Sequence, residues 1–296
     1  MSKPQPIEGL DPSSTMEEAA RRSIEARLND LRKYEEKLTE AADPDDVHDM
    51  RVASRRLRAA LELFDRKGQL RGAHDAVEKL GDALGQLREL HVQLGWLRDE
   101  LAAASERDKV GLQALLDERE AKLPKRVERM KVALGTWTED GLVRVEAALA
   151  ALDVRGNLAG KRMRGRLSQR LKDTRQRAKA TLQSMDARTA HKLRIGAKKL
   201  RYAAELAQPA FPAEIGALLD RLQPLQETLG ELHDADVHIP IVEKFLVRAD
   251  ALQQPGALVL LRSEMAHREE QAAALGDALT RLRADRVLES LRDALC

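Results

Sequence analysis

One line of this chain is written twice. Residues 48–63 read HDMRVASRRLRAALEL, and residues 191–206, 143 positions later, read HKLRIGAKKLRYAAEL. A histidine, an arginine, a basic pair, Leu-Arg and a closing Glu-Leu keep their register in both copies. An internal repeat of this length means two copies of one structural unit within a single chain. It also argues that the charges are kept for a purpose, because a merely solvated surface has no reason to hold a histidine and four cations in step.

The repeated line is helical in pattern. At about 100° per residue, His48, Arg51, Arg55, Arg58 and Glu62 fall within about 80° of one another. Met50, Ala53, Leu57, Ala60, Leu61 and Phe64 gather on the opposite side. His191, Arg194, Lys198, Arg201 and Glu205 repeat the arrangement. Successive cations stand about one turn, ~5.4 Å, apart. Such a ladder suits a linear polyanion with closely spaced phosphates, arginine supplying forked donors to phosphate oxygens. The positive end of each helix dipole lies beside its histidine.

The rest of the chain predicts an all-α protein. Only 2% of residues are aromatic, so Leu, Ala and Val must build the core, and runs alternating at period two are scarce. Helices are expected over about 16–39, 44–64, 73–105, 109–134 (bent at Pro124) and 139–152. After a break at Arg155-Gly156-Asn157 they resume over 160–185, 187–208, 213–253 (bent at Pro240) and 257–282, with a short terminal helix to Cys296. Asp43 followed by Pro44 is a helix start, and Asp186 is its counterpart before the second motif. The expected organisation is a disordered lead-in over 1–15, then two repeats, 16–156 and 157–296, each a four-helix bundle related by pseudo-symmetry.

Charge is distributed unevenly. Lys161 to Arg201 holds 15 Lys and Arg against Asp173 and Asp186, or +13, so the remainder of a +2 chain carries −11. A basic region on an acidic body points to a polyanion site. At the 143-residue offset Arg21 pairs with Arg164, Arg27 with Arg170 and Arg32 with Arg175; these either widen the cationic surface or only decorate it. A weaker repeat, LGQLRELHV at 84–92 and LGELHDADV at 229–237, places a glycine for close helix contact. Its Glu89, Asp234 and Asp236 are positioned to pair with the motif arginines. His74, His238 and His267 read as surface or core filler, and Trp96 and Trp137 as core anchors. A single cysteine, Cys296, excludes an intrachain disulfide framework and a thiolate metal cage and fits a reducing compartment. No apolar run reaches the length of a membrane span, and no apolar signal segment is present, so a cytoplasmic protein is expected.

The two His-x-x-Arg-x-x-x-basic-basic-Leu-Arg lines, with the later Leu-Gly-x-x-[Arg/His]-acid-x-acid-Val line, resemble the CHAD family, the conserved histidine α-helical domain. The resemblance spans about Met16 to Leu295. It implies two pseudo-symmetric bundles flanking a basic channel or cleft, and binding of inorganic polyphosphate, with association to polyphosphate granules. By position it implies phosphate contacts from His48, Arg51, Arg55, Arg56 and Arg58, and from His191, Arg194, Lys198, Lys199 and Arg201. The chain departs from the family pattern at His91, His233, Lys198 and Lys199; the two lysines offer point charges in place of forks. Many relatives carry an attached triphosphate-processing domain, and none is expected among these residues.

Two other function classes compete with this reading. His191, His233 and Asp234 loosely resemble the ligands of HD-type metal phosphohydrolases, but Arg88-Glu89 occupies the matching place in the first half, and no His-x-x-x-His or Glu-x-x-His spacing completes a site. No metal, cofactor or catalytic residue is expected. Nucleic acid is disfavoured because two Trp, two Tyr and three Phe supply no stacking platform. A granule-coating role is compatible with polyphosphate binding.

Overall fold

The computed structural model describes residues 4–40, 42–65, 68–152 and 159–284. Eleven α-helices follow one another: α1 (Met16–Arg32), α2 (Glu35–Glu40), α3 (Pro44–Phe64), α4 (Arg71–Ala103), α5 (Glu106–Glu120), α6 (Leu123–Thr136), α7 (Leu142–Ala150), α8 (Ala159–Ser184), α9 (Ala187–Ala207), α10 (Pro212–Leu246) and α11 (Gln254–Ala284). A π-helical turn, Trp137–Gly141, joins α6 to α7. There is no strand among the described residues. The chain is all-α.

Local chemistry sets the boundaries. Thr15 caps α1 in a reciprocal box with Glu18. The Asp43 carboxylate accepts the amides of Asp45 and Asp46 ahead of Pro44, and Asp186 accepts the Thr189 amide at 2.7 Å. Several expected boundaries move. The first helix breaks at Lys33-Tyr34, and the stretch expected as one helix with a bend at Pro124 is two, because Pro124 sits in the first turn of α6, where its missing N–H costs nothing. Pro224 and Pro240 both lie inside α10 without ending it. The expected terminal helix, Cys296 and the boundary at residues 156/157 lie outside the described residues.

Residues 4–15, expected as a disordered lead-in, pack onto the body. Ile7 and Leu10 are each 5% exposed, and the Gln5 amide donates to the Asp30 carboxylate at 3.1 Å. Two apolar side chains and a buried acid are enough to order a short polar segment.

The buried core does not divide at the repeat. One cluster runs from Leu28, Leu57 and Leu84 of the first half to Met163, Leu200 and Leu218 of the second. A second, at the far end of the molecule, joins Leu94 and Leu97 of α4 and Leu115 of α5 to Val242 and Phe245 of α10 and Leu260 of α11. A third lies within the second half, among Leu193, Leu229 and Leu275.

At that far end α5 and α11 touch backbone to backbone. A Cβ on Gly111 would lie 2.0 Å from the Gln253 carbonyl, and one on Gly256 would lie 2.0 Å from the Asp108 carbonyl. Neither neighbour can yield as a flexible side chain would. Gly256→Ala is expected to cost about 1–3 kcal/mol by overpacking. Gly95→Ala in α4 meets nothing within 4 Å and should gain about 0.5–1 kcal/mol from helix propensity. Thermal melts of both variants check the contrast; equal Tm values would refute it.

Candidate functional site

Helices α3 and α9, which carry the repeated line, lie side by side at the centre of the molecule. Their cationic faces turn toward a cleft of about 750 Å³ walled on its other sides by α4 and α10. Arg51 and Arg55 enter it from α3, and Arg194, Lys198 and Arg201 from α9. A second hollow of about 520 Å³ adjoins the first and shares Arg55, Lys198 and Tyr202 with it. It adds Arg58, Lys199 and, from α8, Arg166 and Arg170. Both repeated stripes thus supply one continuous lining. Arg55 and Lys198, which are equivalent in the repeat, stand where the two hollows meet.

The cations of the lining fall into two groups. Arg56 is 5% exposed and donates to Glu205 at 2.8 Å, tying α3 to α9. Arg201 donates to the same carboxylate at 3.0 Å and to Gln226 at 3.0 Å. Arg58 reaches Glu78 at 2.6 Å. Arg166 donates to Glu62 at 2.7 Å, and Arg170 pairs with that same acid. By contrast Arg51, Arg55, Arg194, Lys198 and Lys199 have no carboxylate within ion-pairing distance among the described residues. The Nε atoms of Arg51 and Arg194 are buried with no hydrogen-bond partner.

Unpaired cations crowded together and withdrawn from water are driven toward their neutral forms. Burial, followed by Arg194, Arg55 and Arg51, pushes the Lys198 ammonium down to about 6. Burial and Arg55 bring Arg51 down to about 10. His233 is pushed down to about 3 by burial, Arg194 and His191. His48 is lowered by burial and by Arg88. Asp234, half-buried at the cleft wall, is raised by burial against the pull of Arg194. The cleft therefore concentrates positive charge where water and counter-charge are scarce.

Not every sequence-predicted residue lies here. His48 lines the cleft, whereas His191 is exposed and sits beside it, 3.5 Å from His233, which does line it. Arg56, expected as a phosphate contact, does border the cleft, and from its position about 100° around α3 from Arg55 its guanidinium is engaged by Glu205. Arg21 faces away, donating to the Leu149 carbonyl at 3.1 Å. Arg27 is buried against Asp30 at 3.0 Å and reaches the Gln5 carbonyl. Arg164 lies over the Phe211 ring, 4.6 Å from its centroid. Of these outlying arginines only Arg170 lines the site. Among the expected supporting acids, Glu62 and Glu205 hold cations of the lining, and Asp236 turns to Arg268 of α11 at 2.7 Å. Glu89 and Asp234 line the cleft. Gly85 does receive a close neighbour, the Arg51 guanidinium, whose Nε would be 3.3 Å from an added Cβ; Gly230 faces open space.

Three residues of this region escaped the sequence. His238, read as filler, borders the cleft with Trp96 stacked on it, the rings 3.7 Å apart and 6° from parallel. Glu264 accepts from the Trp96 indole at 2.9 Å and lies 3.1 Å from His238 Nδ1. They come from α4, α10 and α11, so no local pattern links them. Among the described residues the one group of three or more His, Cys, Asp or Glu whose ligating atoms lie within 4.8 Å of one another is His74, Asp75 and Glu78, and Glu78 is already held by Arg58. No helix among the described residues is long and apolar enough to cross a membrane.

A family model, the CHAD domain, matches residues 22–243. Among solved structures, the CHAD domain from the plant Ricinus communis is similar at 25% identity with a TM-score of 0.64, covering 99% of this chain and 96% of that one. PptA from Streptomyces chartreusis is similar in fold at 17% identity and a TM-score of 0.64, covering 90% of this chain and 100% of that one. No curated protein matches the chain. A repeated basic helix on each side of one cleft, within an all-α body, accords with a family match over most of the sequence, and the chain belongs to the CHAD family.

Proposed function

We propose that the protein is a binding module for inorganic polyphosphate, and not an enzyme, with the polymer lying along the cleft between α3 and α9. The observation that carries this reading is the group of five cations, Arg51, Arg55, Arg194, Lys198 and Lys199, that converge from two helices with no carboxylate within ion-pairing distance among the described residues. Arg51, Arg194 and Lys198 are partly withdrawn from water, and holding such charge without an ion pair is costly unless a ligand supplies the counter-charge. A chain of closely spaced phosphates supplies one anion per helical turn to both ladders at once. Family membership supports the same reading. Association with cytoplasmic polyphosphate granules would follow from that affinity.

Nucleic acid fits less well, since Tyr202 is the one Phe, Tyr or Trp side chain lining either hollow and no stacking platform results. The metal phosphohydrolase reading lacks a ligand set, because His191, His233 and Asp234 do not bring their ligating atoms together within 4.8 Å.

Binding of long-chain polyphosphate is to be compared with double-stranded DNA of matched charge at two salt concentrations. The wild type is expected to prefer polyphosphate and to lose affinity steeply with salt through counterion release. Arg51→Ala/Arg194→Ala should weaken binding at least about a hundredfold, from ~1.5 kcal/mol or more per charge-assisted contact. Equal binding of both polymers, or an unaffected double variant, would refute the proposal.

A further inference from the structure

Lys198 stands at the junction of the two hollows and lines both. Arg51 and Arg55 face it from α3, Arg194 and Tyr202 from its own helix, and Asp234 and His233 from α10. Arg166 and Arg170 lie across the second hollow on α8, held by Glu62. A small phosphate compound entering here meets unpaired guanidinium groups on both sides of a primary amine. We propose that Lys198 is a modification site that acylates itself from small acyl phosphates, which the cleft first captures through their phosphate group.

The chemistry needs three things, and the cleft provides each. The amine must be unprotonated: an ordinary lysine is almost wholly ammonium at neutral pH, whereas Lys198, pushed down to about 6, is largely free base. The reagent must be held: Arg51, Arg55 and Arg194 supply charge-assisted donors to its phosphate. The leaving group must be stabilised: the same guanidinium groups remain on the phosphate as it departs. The Lys198 nitrogen lone pair attacks the acyl carbon, the N–C bond forms, and the bond from acyl carbon to phosphoryl oxygen breaks. Inorganic phosphate leaves with that electron pair, and the amine proton passes to it. No oxidant or further reactant is required.

The product is an amide, which cannot take up a proton. A polyanion entering the acylated cleft would find one cation fewer at the point where the hollows meet. Acylation would therefore act as a brake on polyanion binding, set by the supply of acyl phosphate. The reactivity itself rests on the cleft geometry and does not require polyphosphate as the ligand.

The test is to incubate the full chain with acetyl phosphate at pH 7.5 and to follow each lysine by peptide mass spectrometry. Lys198 is expected to be acetylated at least about tenfold faster than the exposed Lys131 and Lys161, its gain in free amine exceeding its loss of basicity. With acetic anhydride, which carries no phosphate, the preference should shrink. Arg51→Ala/Arg194→Ala should remove the preference for acetyl phosphate. Acetylation of Lys198 no faster than of the two exposed lysines, or a preference equally large with acetic anhydride, would overturn the proposal. Fast acetylation that long-chain polyphosphate does not suppress would support it while counting against the polyphosphate reading.

Discussion

Polyphosphate affinity is expected to fall about tenfold for each pH unit above neutrality, and the slope belongs to Lys198. In the ligand-free cleft this ammonium has been pushed down to about 6, first by burial and then by Arg194, Arg55 and Arg51. Phosphate beside it favours the charged form and raises its pKa in the complex. Between the free and bound values the complex holds one proton more than the free protein, so binding takes up a proton and weakens as pH rises. Below pH 6 the lysine is charged in both states and its contribution is flat. His48 is lowered by burial and Arg88, so its proton uptake begins below the ordinary histidine range. Titration calorimetry at pH 7.5 in buffers of different ionisation enthalpy should show uptake of about one proton per site. Lys198→Arg, charged at every accessible pH, should bind with a much shallower slope. A wild-type affinity flat from pH 6.5 to 8.5 would exclude this account.

Loss of Arg56 should cost stability and not only binding. Its guanidinium is 5% exposed and bridges to Glu205 at 2.8 Å across the contact between α3 and α9. Arg56→Ala leaves Glu205, which Arg201 also holds, without its buried partner. Breaking such a pair costs about 3–5 kcal/mol, or roughly 6–20 °C in Tm at about 2–4 °C per kcal/mol for a chain this large. Arg51 should behave in the opposite way. It is half-buried with no ion pair and an unpartnered Nε, so Arg51→Met should raise Tm while weakening polyphosphate binding. The pair of melts separates a cation that holds the fold from one that waits for a ligand. Similar Tm changes in both variants would show that the division drawn in the cleft is wrong.

That division was partly legible in the sequence. The helical wheel placed His48, Arg51, Arg55 and Arg58 on one face and left Arg56 off it; family resemblance added Arg56. In the structure Arg56 borders the cleft as well, with its guanidinium held by Glu205 across the contact with α9. The helices themselves were readable from leucine spacing and from the Asp43 and Asp186 caps, which need only neighbours in sequence. Symmetry was less dependable away from the motif. Arg27 and Arg170 occupy equivalent positions, yet one is buried on Asp30 and the other sits on Glu62 in the second hollow. The repeat fixes the position along the helix and not what packs against it. The Trp96, His238 and Glu264 cluster had no local signal, since three helices must assemble before it exists. The lowered pKa of Lys198 is equally hidden: in sequence it is one more basic residue, and it is burial in a shared cavity, then the nearness of Arg194, Arg55 and Arg51, that depresses it.

The core that runs without interruption across the repeat bears on how the molecule comes apart. Leu57 and Leu200 belong to one apolar cluster, and the glycine crossing of α5 with α11 clasps the opposite end. The third cluster is internal to the second half, but the largest one belongs to both halves, so neither repeat can melt whole while the other stays intact. Heating should give a single calorimetric transition whose direct and van't Hoff enthalpies agree, the signature of one cooperative unit. The repeat visible along the sequence marks no boundary in the interior.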